Sequence, residues 1–435
     1  MRVALGVVTL LLGAACVAVA GGDVRAASGE VERVPHHVLT WYYYGLNDVN
    51  ANVPPRTMAA YADFVEDDGY TAPHAEAFKR AGGRFAGAYT DPAYVPYCSP
   101  PFGVPNGGCG GPIGNLVSHD ESAWFHGPDG ARVHRADGKY YQDALNPAAA
   151  SARAAYRKAT GAILAKAPSL DLFFADDYGG PWRHGNNSPK DAWFYDFNDP
   201  GVEIRDDATF VRAAAAMLGS AARPVIVNGA DPETGAPAYG GAYLLAPRVW
   251  GAAHEGCFRN GDRVLTDAKD AWRSEEDSLL AVSLLQRYTV CFMMGTPTPA
   301  NRTYALASWW ITYDPRWSVA APIDPVPNAS AILPEYDIVP RAPLRTAART
   351  VRELRDGGGA YVREFGACYQ AGRAIGPCAA VVNPTANALA VPRLHERYGA
   401  ALVLDARDAL SGGTASWRRG PPGEVGAGNA LVLKR

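Results

Sequence analysis

Short β-rich runs alternate with helical segments along most of the chain, and this alternation constrains the fold more than any other feature. Repeated strand–helix units predict a parallel sheet with helices outside it. Eight candidate strands favour a closed (β/α)8 TIM barrel. The alternative, a doubly wound open sheet, usually carries a glycine-rich phosphate turn after its first strand, and Tyr44-Gly45-Leu46-Asn47 is not such a turn. The candidate strands begin near residues 38, 84, 140, 170, 224, 248, 288 and 317, and helices are expected at Thr57–Glu66, His74–Ala81, Ala148–Ala167 and Arg345–Arg355.

From about residue 361 the pattern changes to short apolar runs separated by Gly, Pro and Asn, with no long helix between them. Such runs predict an antiparallel β-sandwich. We therefore expect an α/β chain with three parts: a signal peptide at 1–20, a catalytic barrel at 34–355 and a small C-terminal β-sandwich domain at 360–435.

The N-terminus indicates the compartment. Met1-Arg2 precedes an apolar run to Val19, and Ala18-Val19-Ala20 is a small-x-small cleavage site, as in a secretory signal peptide. The run is short for a retained membrane anchor. Lipidation at Cys16 is a weaker alternative, because Gly13 stands where a large aliphatic residue is expected. We expect a secreted or periplasmic protein with no transmembrane segment in its mature form.

The cysteines suggest disulfides in that compartment. Six of the seven remain once Cys16 is removed, and an even number in a secreted chain indicates pairing. Six cysteines allow 15 connectivities. Cys98 with Cys109 and Cys368 with Cys378 bracket short loops, which leaves Cys257 with Cys291 by elimination. Zinc binding lacks a Cys-x-x-Cys pair or a suitably spaced histidine.

Charge and motifs exclude several functions. The chain has 41 Lys and Arg against 44 Asp and Glu, a net charge of −3, and no basic cluster, so we expect no nucleic-acid partner. Gly-x-Ser-x-Gly, His-Glu-x-x-His, Walker and Gly-x-Gly-x-x-Gly motifs are absent. We expect no cofactor and no metal.

Carboxylates at strand ends carry the candidate chemistry, because a TIM barrel has its active site where its strands finish. Asp176 and Asp177 follow the apolar run Leu172–Ala175, and Glu255 follows the run at Val249–Ala253. Glycosidic bond cleavage requires two carboxyl groups, one to protonate the leaving oxygen and one to attack the sugar or activate water. Alternation puts Asp176 and Asp177 on opposite faces, and the sequence does not tell which face lines the barrel. Asp231 is a further candidate, but Pro232 follows it, which is more typical of a turn residue.

Aromatic and polar side chains near strand ends suit the same substrate, since sugar rings pack on aromatic faces and their hydroxyls need polar partners. The candidate substrate-binding residues are Trp41, Tyr44, Tyr89, Asp91, Asn146, Tyr178, Asn228, Trp250 and His254.

Taken together, these motifs resemble the largely uncharacterised glycoside hydrolase-like TIM-barrel families, related in layout to the α-amylase and α-galactosidase groups. The resemblance rests on strand-Asp-Asp at 172–177, strand-Asn-Gly at 225–229, strand-x-Glu-Gly at 249–256, and Tyr-Val-Arg-Glu-Phe and Val-Val-Asn-Pro at 361–365 and 381–384. It implies that Asp176 is the carboxylate of the fourth strand and Glu255 the later acid. The Cys98–Cys109 insertion departs from the pattern.

The resulting hypothesis is a secreted glycoside hydrolase with Asp176 as nucleophile or base and Glu255 as general acid, supported by Asp177 and His254. The alternative is a non-catalytic carbohydrate-binding protein that uses the same rim.

Overall fold

Eight parallel strands form a barrel. The computed structural model describes residues 36–44, 53–67, 72–96, 111–126, 132, 134–137, 140–176, 212–228, 244, 246–261, 263–294, 298–323, 333–405 and 414–435. Neighbouring barrel strands pair in parallel in chain order, and a parallel bridge from Thr40 to Ala320 joins the last strand to the first. The barrel strands are Trp41–Tyr44, Phe64–Asp67, Phe85–Thr90, Leu172–Ala175, Val225–Asn228, Val249–Asn260, Tyr288–Met294 and Ser318–Ile323. The predicted TIM barrel is confirmed.

Aromatic and aliphatic side chains fill the barrel. The Trp41 ring stacks on Phe64 with centroids 5.4 Å apart and lies 5.8 Å from the ring of Phe174. Leu172, Phe174 and Ile226 belong to the same buried cluster. Because alternate residues of a strand point the same way, this packing also identifies the inward face of each strand.

Helices and short 3-10 turns connect the strands. The α-helices are Pro55–Tyr61, Pro73–Arg80, Gly111–Val117, Ala150–Lys166, 212–218, Ala271–Leu284, Pro299–Ile311 and Pro392–Arg397. The 3-10 turns are Glu121–Ala123, Ala268–Asp270, Pro334–Asp337 and Val351–Leu354. Several helices begin with proline, whose fixed φ suits the first turn and whose missing N–H is not needed there. Within the described ranges, no helix is long and apolar enough to cross a membrane.

The second barrel strand differs from the sequence-based expectation of one helix over Thr57–Glu66. The helix ends at Tyr61, Ala62 is extended, and Phe64–Asp67 pairs with the first and third strands. The Asp67 carboxylate accepts the backbone N–H groups of His74 and Ala75 at 2.7 and 2.9 Å, so it caps the next helix from the end of this strand.

The run at Tyr140–Ala144 is a strand but not a barrel strand, so that prediction was wrong. It is the middle strand of an antiparallel sheet whose other strands are Tyr94–Pro96 and His134–Asp137. This sheet belongs to the insertion between the third and fourth barrel strands. The predicted number of barrel strands, eight, is nevertheless correct. The prediction included Tyr140–Ala144, which is not in the barrel, and omitted Phe64–Asp67, which is.

Antiparallel sheets at the C-terminus complete the fold, as predicted. A six-stranded sheet has the order Ile338–Pro343, Tyr361–Gln370, Arg373–Asn383, Asn429–Lys434, Ala400–Leu404, Ala415–Arg419, and Leu389–Ala390 pairs with Glu424–Val425. One face of the large sheet packs on the helix Pro299–Ile311, where the Trp310 and Phe365 rings lie 5.8 Å apart. The other face packs against a separate cluster that contains Val391 and Val425.

The connection between barrel and sheet also differs from expectation. Strand Ile338–Pro343 already belongs to the C-terminal sheet, and only a 3-10 turn at Val351–Leu354 occupies the segment expected to be a helix. A capping box between Thr350 and Glu353 holds that turn. The division at residues 355–360 into two domains stays a prediction.

Two predicted disulfides are present. Cys257–Cys291 joins the sixth and seventh barrel strands, and Cys368–Cys378 joins neighbouring strands of the C-terminal sheet. Cys98 and Cys109, like the signal-peptide region with Cys16, lie outside the described residues.

Candidate active site

Four polar side chains meet at the C-terminal mouth of the barrel, one from each of the third to sixth strands. Tyr89 is the penultimate residue of the third strand, Asp176 follows the fourth, Asn228 ends the fifth and Glu255 lies in the sixth. Asp176, Asn228 and Glu255 continue the inward faces of their strands, since Phe174, Ile226 and Ala253 lie two residues earlier in the barrel core, and Tyr89 shares a face with Phe85, which packs on the same cluster.

Asn228 connects the two carboxylates. Its side-chain Nδ2 donates to Oδ1 of Asp176 at 2.6 Å and to Oε1 of Glu255 at 2.8 Å. Neighbouring strands are about 4.8 Å apart, so carboxylates from the fourth and sixth strands meet only by leaning towards the strand between them. The amide of that middle strand, which is 4% exposed, lies where it can bond to both.

These two hydrogen bonds limit the distance between the carboxylates. Both oxygens contact the same nitrogen, so they cannot be farther apart than the sum of 2.6 and 2.8 Å, which is 5.4 Å. The predicted pair of acids is therefore brought together in the structure.

Asp176 is held at both oxygens. The Tyr89 hydroxyl donates to Oδ2 at 2.7 Å, while Asn228 donates to Oδ1. The Asp176 backbone N–H donates to the Thr90 carbonyl at 2.9 Å, which continues the pairing of the third and fourth strands by one residue. The carboxylate is half-buried, and its orientation is fixed from the backbone and from both oxygens.

A buried layer behind the mouth supports this arrangement. The Thr90 hydroxyl donates to the Phe174 carbonyl at 2.8 Å and lies 3.2 Å from the Tyr156 hydroxyl. Burial raises the pKa of the Tyr156 phenol, so this group stays neutral. The layer contributes hydrogen bonds without adding charge next to Asp176.

Glu255 has a more open environment than Asp176. Its side chain is exposed, and its strand continues past it to Asn260 instead of ending there as the sequence suggested. Phe292 of the seventh strand is its register partner, and the Cys257–Cys291 disulfide lies next to it. An exposed carboxyl group can exchange protons with water while its backbone is fixed by a strand and a crosslink.

Three predicted substrate contacts lie elsewhere. Trp41 is 1% exposed in the barrel core, and Trp250 packs against Phe85 near the opposite end of the barrel, where the sixth strand begins. His254 is fully buried on the outer face of its strand, with Nδ1 3.1 Å from Oε1 of Glu275 on the helix Ala271–Leu284. Each of the three lies near a strand end in the sequence, but its side chain faces the core or a helix and not the mouth of the barrel.

Asp91 and Asn146 stabilise their own turns. Asp91 Oδ1 accepts the backbone N–H groups of Ala93 and Tyr94, and Asn146 Oδ1 accepts that of Ala148. Both are Asx-type turn contacts, which the residue types predict as readily as substrate binding.

Asp177, Tyr178 and Asp231 lie outside the described residues, and so does the side chain of Tyr44.

Glu66 is an inward-facing carboxylate that the sequence reasoning missed. It lies two residues after Phe64 on the second strand, so it shares the inward face, and it is fully buried. The sequence pattern could have indicated this residue, because Phe64-Val65 followed by Glu66-Asp67 repeats the apolar strand and paired acids seen at 172–177.

No group of three or more metal-ligating side chains occurs in the part of the chain that the structure describes.

Comparisons with known proteins find similarity in structure only. No protein-family model and no curated protein matches the chain. Isomalto-dextranase of Arthrobacter globiformis T6, in complex with panose, aligns over 91% of this chain and 72% of its own, at 10% identity and a TM-score of 0.46. A trehalulose synthase mutant in complex with Tris aligns over 92% of this chain and 99% of its own, at 11% identity and a TM-score of 0.41. The cycloalternan-degrading enzyme from Trueperella pyogenes aligns over 67% of this chain and 44% of its own, at 12% identity and a TM-score of 0.37.

Proposed function

We propose that the protein is a glycoside hydrolase that cleaves poly- or oligosaccharides by a retaining mechanism, with Asp176 as nucleophile and Glu255 as general acid and base. The observation that carries the proposal is the single Asn228 amide bonded to both carboxylates. Two carboxyl groups at a barrel mouth supply the acid and the nucleophile that glycosidic cleavage needs.

The environments of the two acids support these roles. Asp176 is half-buried and accepts hydrogen bonds at both oxygens, which holds a lone pair in place for attack on the anomeric carbon. Glu255 is exposed and can take up a proton from water between cycles, as an acid and base must. In the first step Asp176 forms the glycosyl ester while Glu255 protonates the leaving oxygen. In the second step Glu255 removes a proton from a water molecule. The water oxygen attacks the anomeric carbon, and the Asp176 carboxylate leaves.

The separation of the acids favours retention over inversion. Retaining enzymes have carboxyl groups about 5–5.5 Å apart, whereas inverting enzymes need about 6.5–9.5 Å to admit a water molecule. The two bonded oxygens are at most 5.4 Å apart, a distance below that of the inverting arrangement, which supports retention.

The near-neutral charge and the disulfides bear on substrate and compartment. A net charge of −3 suits a neutral glycan better than a polyanionic one. Two disulfides suit an oxidising compartment, and with the N-terminal pattern they support a secreted or periplasmic location.

The test uses Asp176→Asn and Glu255→Gln, assayed separately on a panel of 4-nitrophenyl glycosides and oligosaccharides. Each change should lower kcat/KM by at least ~10³-fold, since the two groups act in the same transition states. Glu424→Gln, a change at an exposed glutamate of the C-terminal sheet, is the matched control.

Two further readouts separate the roles. Azide should restore turnover to Glu255→Ala, and NMR of the wild-type products should show retained anomeric configuration. Full activity in both acid variants refutes the assignment, and inverted products refute the retaining mechanism. Glycan binding with no turnover by the wild type, across the panel, favours the non-catalytic carbohydrate-binding protein.

A further inference from the structure

A cavity of about 460 Å³ lies between the barrel and the C-terminal sheet. Its walls come from the end of the helix Ala271–Leu284, the turn before the eighth barrel strand, and the sheet strands at Pro343 and Arg363. Pockets of roughly 300–1,000 Å³ are the size that encloses small ligands.

The cavity is remote from the candidate active site. Ser283 and Leu284 lie just before the seventh strand begins at Tyr288, and Thr312–Arg316 precede the eighth strand at Ser318. These connections are at the N-terminal end of the barrel strands, opposite the mouth where Asp176 lies. A ligand here would not contact the residues proposed for catalysis.

A buried guanidinium lines the cavity. Arg363 is 3% exposed, and Nη2 makes a long hydrogen bond of 3.5 Å to the Tyr313 carbonyl. Among the described residues, its Nε has no hydrogen-bond partner. Burial lowers the pKa of Arg363 to about 10, which still leaves it charged at neutral pH. A buried charge of this kind is costly unless it is paired.

Two acids, Asp314 and Glu276, interact electrostatically with this charge, and each also has another partner. Asp314 lines the same cavity, but its carboxylate already accepts from the side chain and backbone N–H of Arg316. Glu276 is fully buried, burial raises its pKa well above the usual range, and one of its oxygens accepts from the Thr312 hydroxyl at 2.8 Å. Burial thus disfavours the charged form of Glu276, which weakens it as a counter-charge for Arg363.

The rest of the wall combines apolar residues with the hydroxyl groups of Ser283, Thr312 and Thr346. Leu280, Leu284, Pro315, Pro343 and Ala347 line the cavity, and Leu284 is 53% exposed at its edge. The second arginine of the lining, Arg316, is exposed and paired with Asp314, so Arg363 is the buried guanidinium of this wall. A buried guanidinium beside apolar side chains matches a ligand with one carboxylate and an apolar body, because guanidinium binds carboxylate through parallel hydrogen bonds.

We propose that this cavity is a second ligand site, which binds a small aliphatic or aromatic carboxylate through Arg363. The carboxylate supplies a direct hydrogen-bond partner and counter-charge for the guanidinium, and the apolar body covers Leu280, Leu284 and Pro343.

The test is calorimetric titration of the full chain with 3-phenylpropionate as the probe. We expect 1:1 binding with a Kd of about 1 mM or tighter. Arg363→Met should weaken binding at least tenfold, and so should Thr346→Trp, which adds bulk to the cavity from an exposed position and leaves Arg363 itself unchanged. Arg345→Met, at an exposed arginine that does not line the cavity, is the matched control.

Two comparison probes define the ligand class. The uncharged 3-phenylpropanol should bind at least tenfold more weakly than the carboxylate, and inorganic phosphate should not compete with it at equal concentration. Equal binding of the alcohol or the phosphate overturns the assignment, and so does unchanged affinity in Arg363→Met or Thr346→Trp. Asp176→Asn should bind the probe as the wild type does, because the two sites are separate.

Discussion

Replacing Asn228 with alanine tests the geometry of the mouth more directly than replacing either acid. The amide bonds to both Asp176 and Glu255, and it takes no chemical part in the proposed reaction. Among the described residues, its Oδ1 has no hydrogen-bond partner, so the truncation removes the two bonds to the carboxylates and little else. Loss of activity in Asn228→Ala therefore reports the positioning of the acids.

The magnitude follows from one of these bonds. Glu255 is exposed, so water replaces its bond to the amide at small cost, and we count only the 2.6 Å bond to half-buried Asp176. A hydrogen bond to a charged group contributes roughly 1.5–3 kcal/mol. If this amount is lost from transition-state stabilisation, kcat/KM falls roughly 10- to 150-fold. Asn228→Asp should lose more than Asn228→Ala, since it adds a third carboxyl group between two others.

The assay compares kcat/KM of the two variants and the wild type on the best substrate of the 4-nitrophenyl glycoside panel. Asn387→Ala, at an exposed asparagine of the C-terminal region, is the matched control and should keep full activity. Circular dichroism and thermal melting of each variant separate a loss of positioning from a loss of folding. Activity of folded Asn228→Ala within threefold of wild type would refute the reasoning.

The remaining predictions concern one orienting group and two determinants of stability. Tyr89→Phe removes the 2.7 Å bond to Asp176 and should lower kcat roughly tenfold with little change in Tm; an unchanged kcat would contradict it. Glu276 has a pKa raised by burial, so its stabilising contribution is full below the unfolded pKa and is lost as pH rises through the folded one. Glu276→Gln should therefore gain stability relative to wild type as pH rises above 4.5, and a difference in Tm that is constant between pH 4 and 8 would contradict this. Replacing both Cys257 and Cys291 with alanine opens a crosslink spanning 34 residues and should cost ~4 kcal/mol in urea unfolding, whereas a loss below 1 kcal/mol would exclude the chain-entropy account.

The fold was predictable where strands are continuous apolar runs. Leu172–Ala175 and Val225–Asn228 are buried at every position, and no surface helix has that composition. Phe64–Asp67 was not predictable in the same way, because it follows a helix after two residues and half of it is acidic. The composition of Tyr140–Ala144 predicts a strand, but a sequence does not show which strands pair. It could therefore not be distinguished from a barrel strand, although its partners are antiparallel strands of the insertion.

The site was predictable in its acids and not in its contacts. Asp176 and Glu255 were expected from strand ends, and alternation left open which of two adjacent acids faces inward. The packing of Phe174 in the barrel core answers that question for Asp176, since the two share a face. Trp41 faces the barrel core and His254 faces a helix, and neither direction could be read from the sequence, because position near a strand end does not give the direction of a side chain.

The inward-facing side chains change from apolar to polar at the C-terminal ends of the strands. This change explains how a barrel filled with apolar side chains can hold a polar site. On the fourth, fifth and sixth strands, Phe174, Ile226 and Ala253 are buried core residues, and the next inward residue on each strand is polar. The change occurs within one layer of side chains on three adjacent strands, so the acids lie on an apolar floor and not within the core. This floor excludes water from beneath the carboxylates and leaves Tyr89 and Asn228 as the donors that orient Asp176. The buried ionisable groups Glu276 and Arg363 lie outside the barrel, on the helix Ala271–Leu284 and the strand Tyr361–Gln370, away from the acids proposed for catalysis.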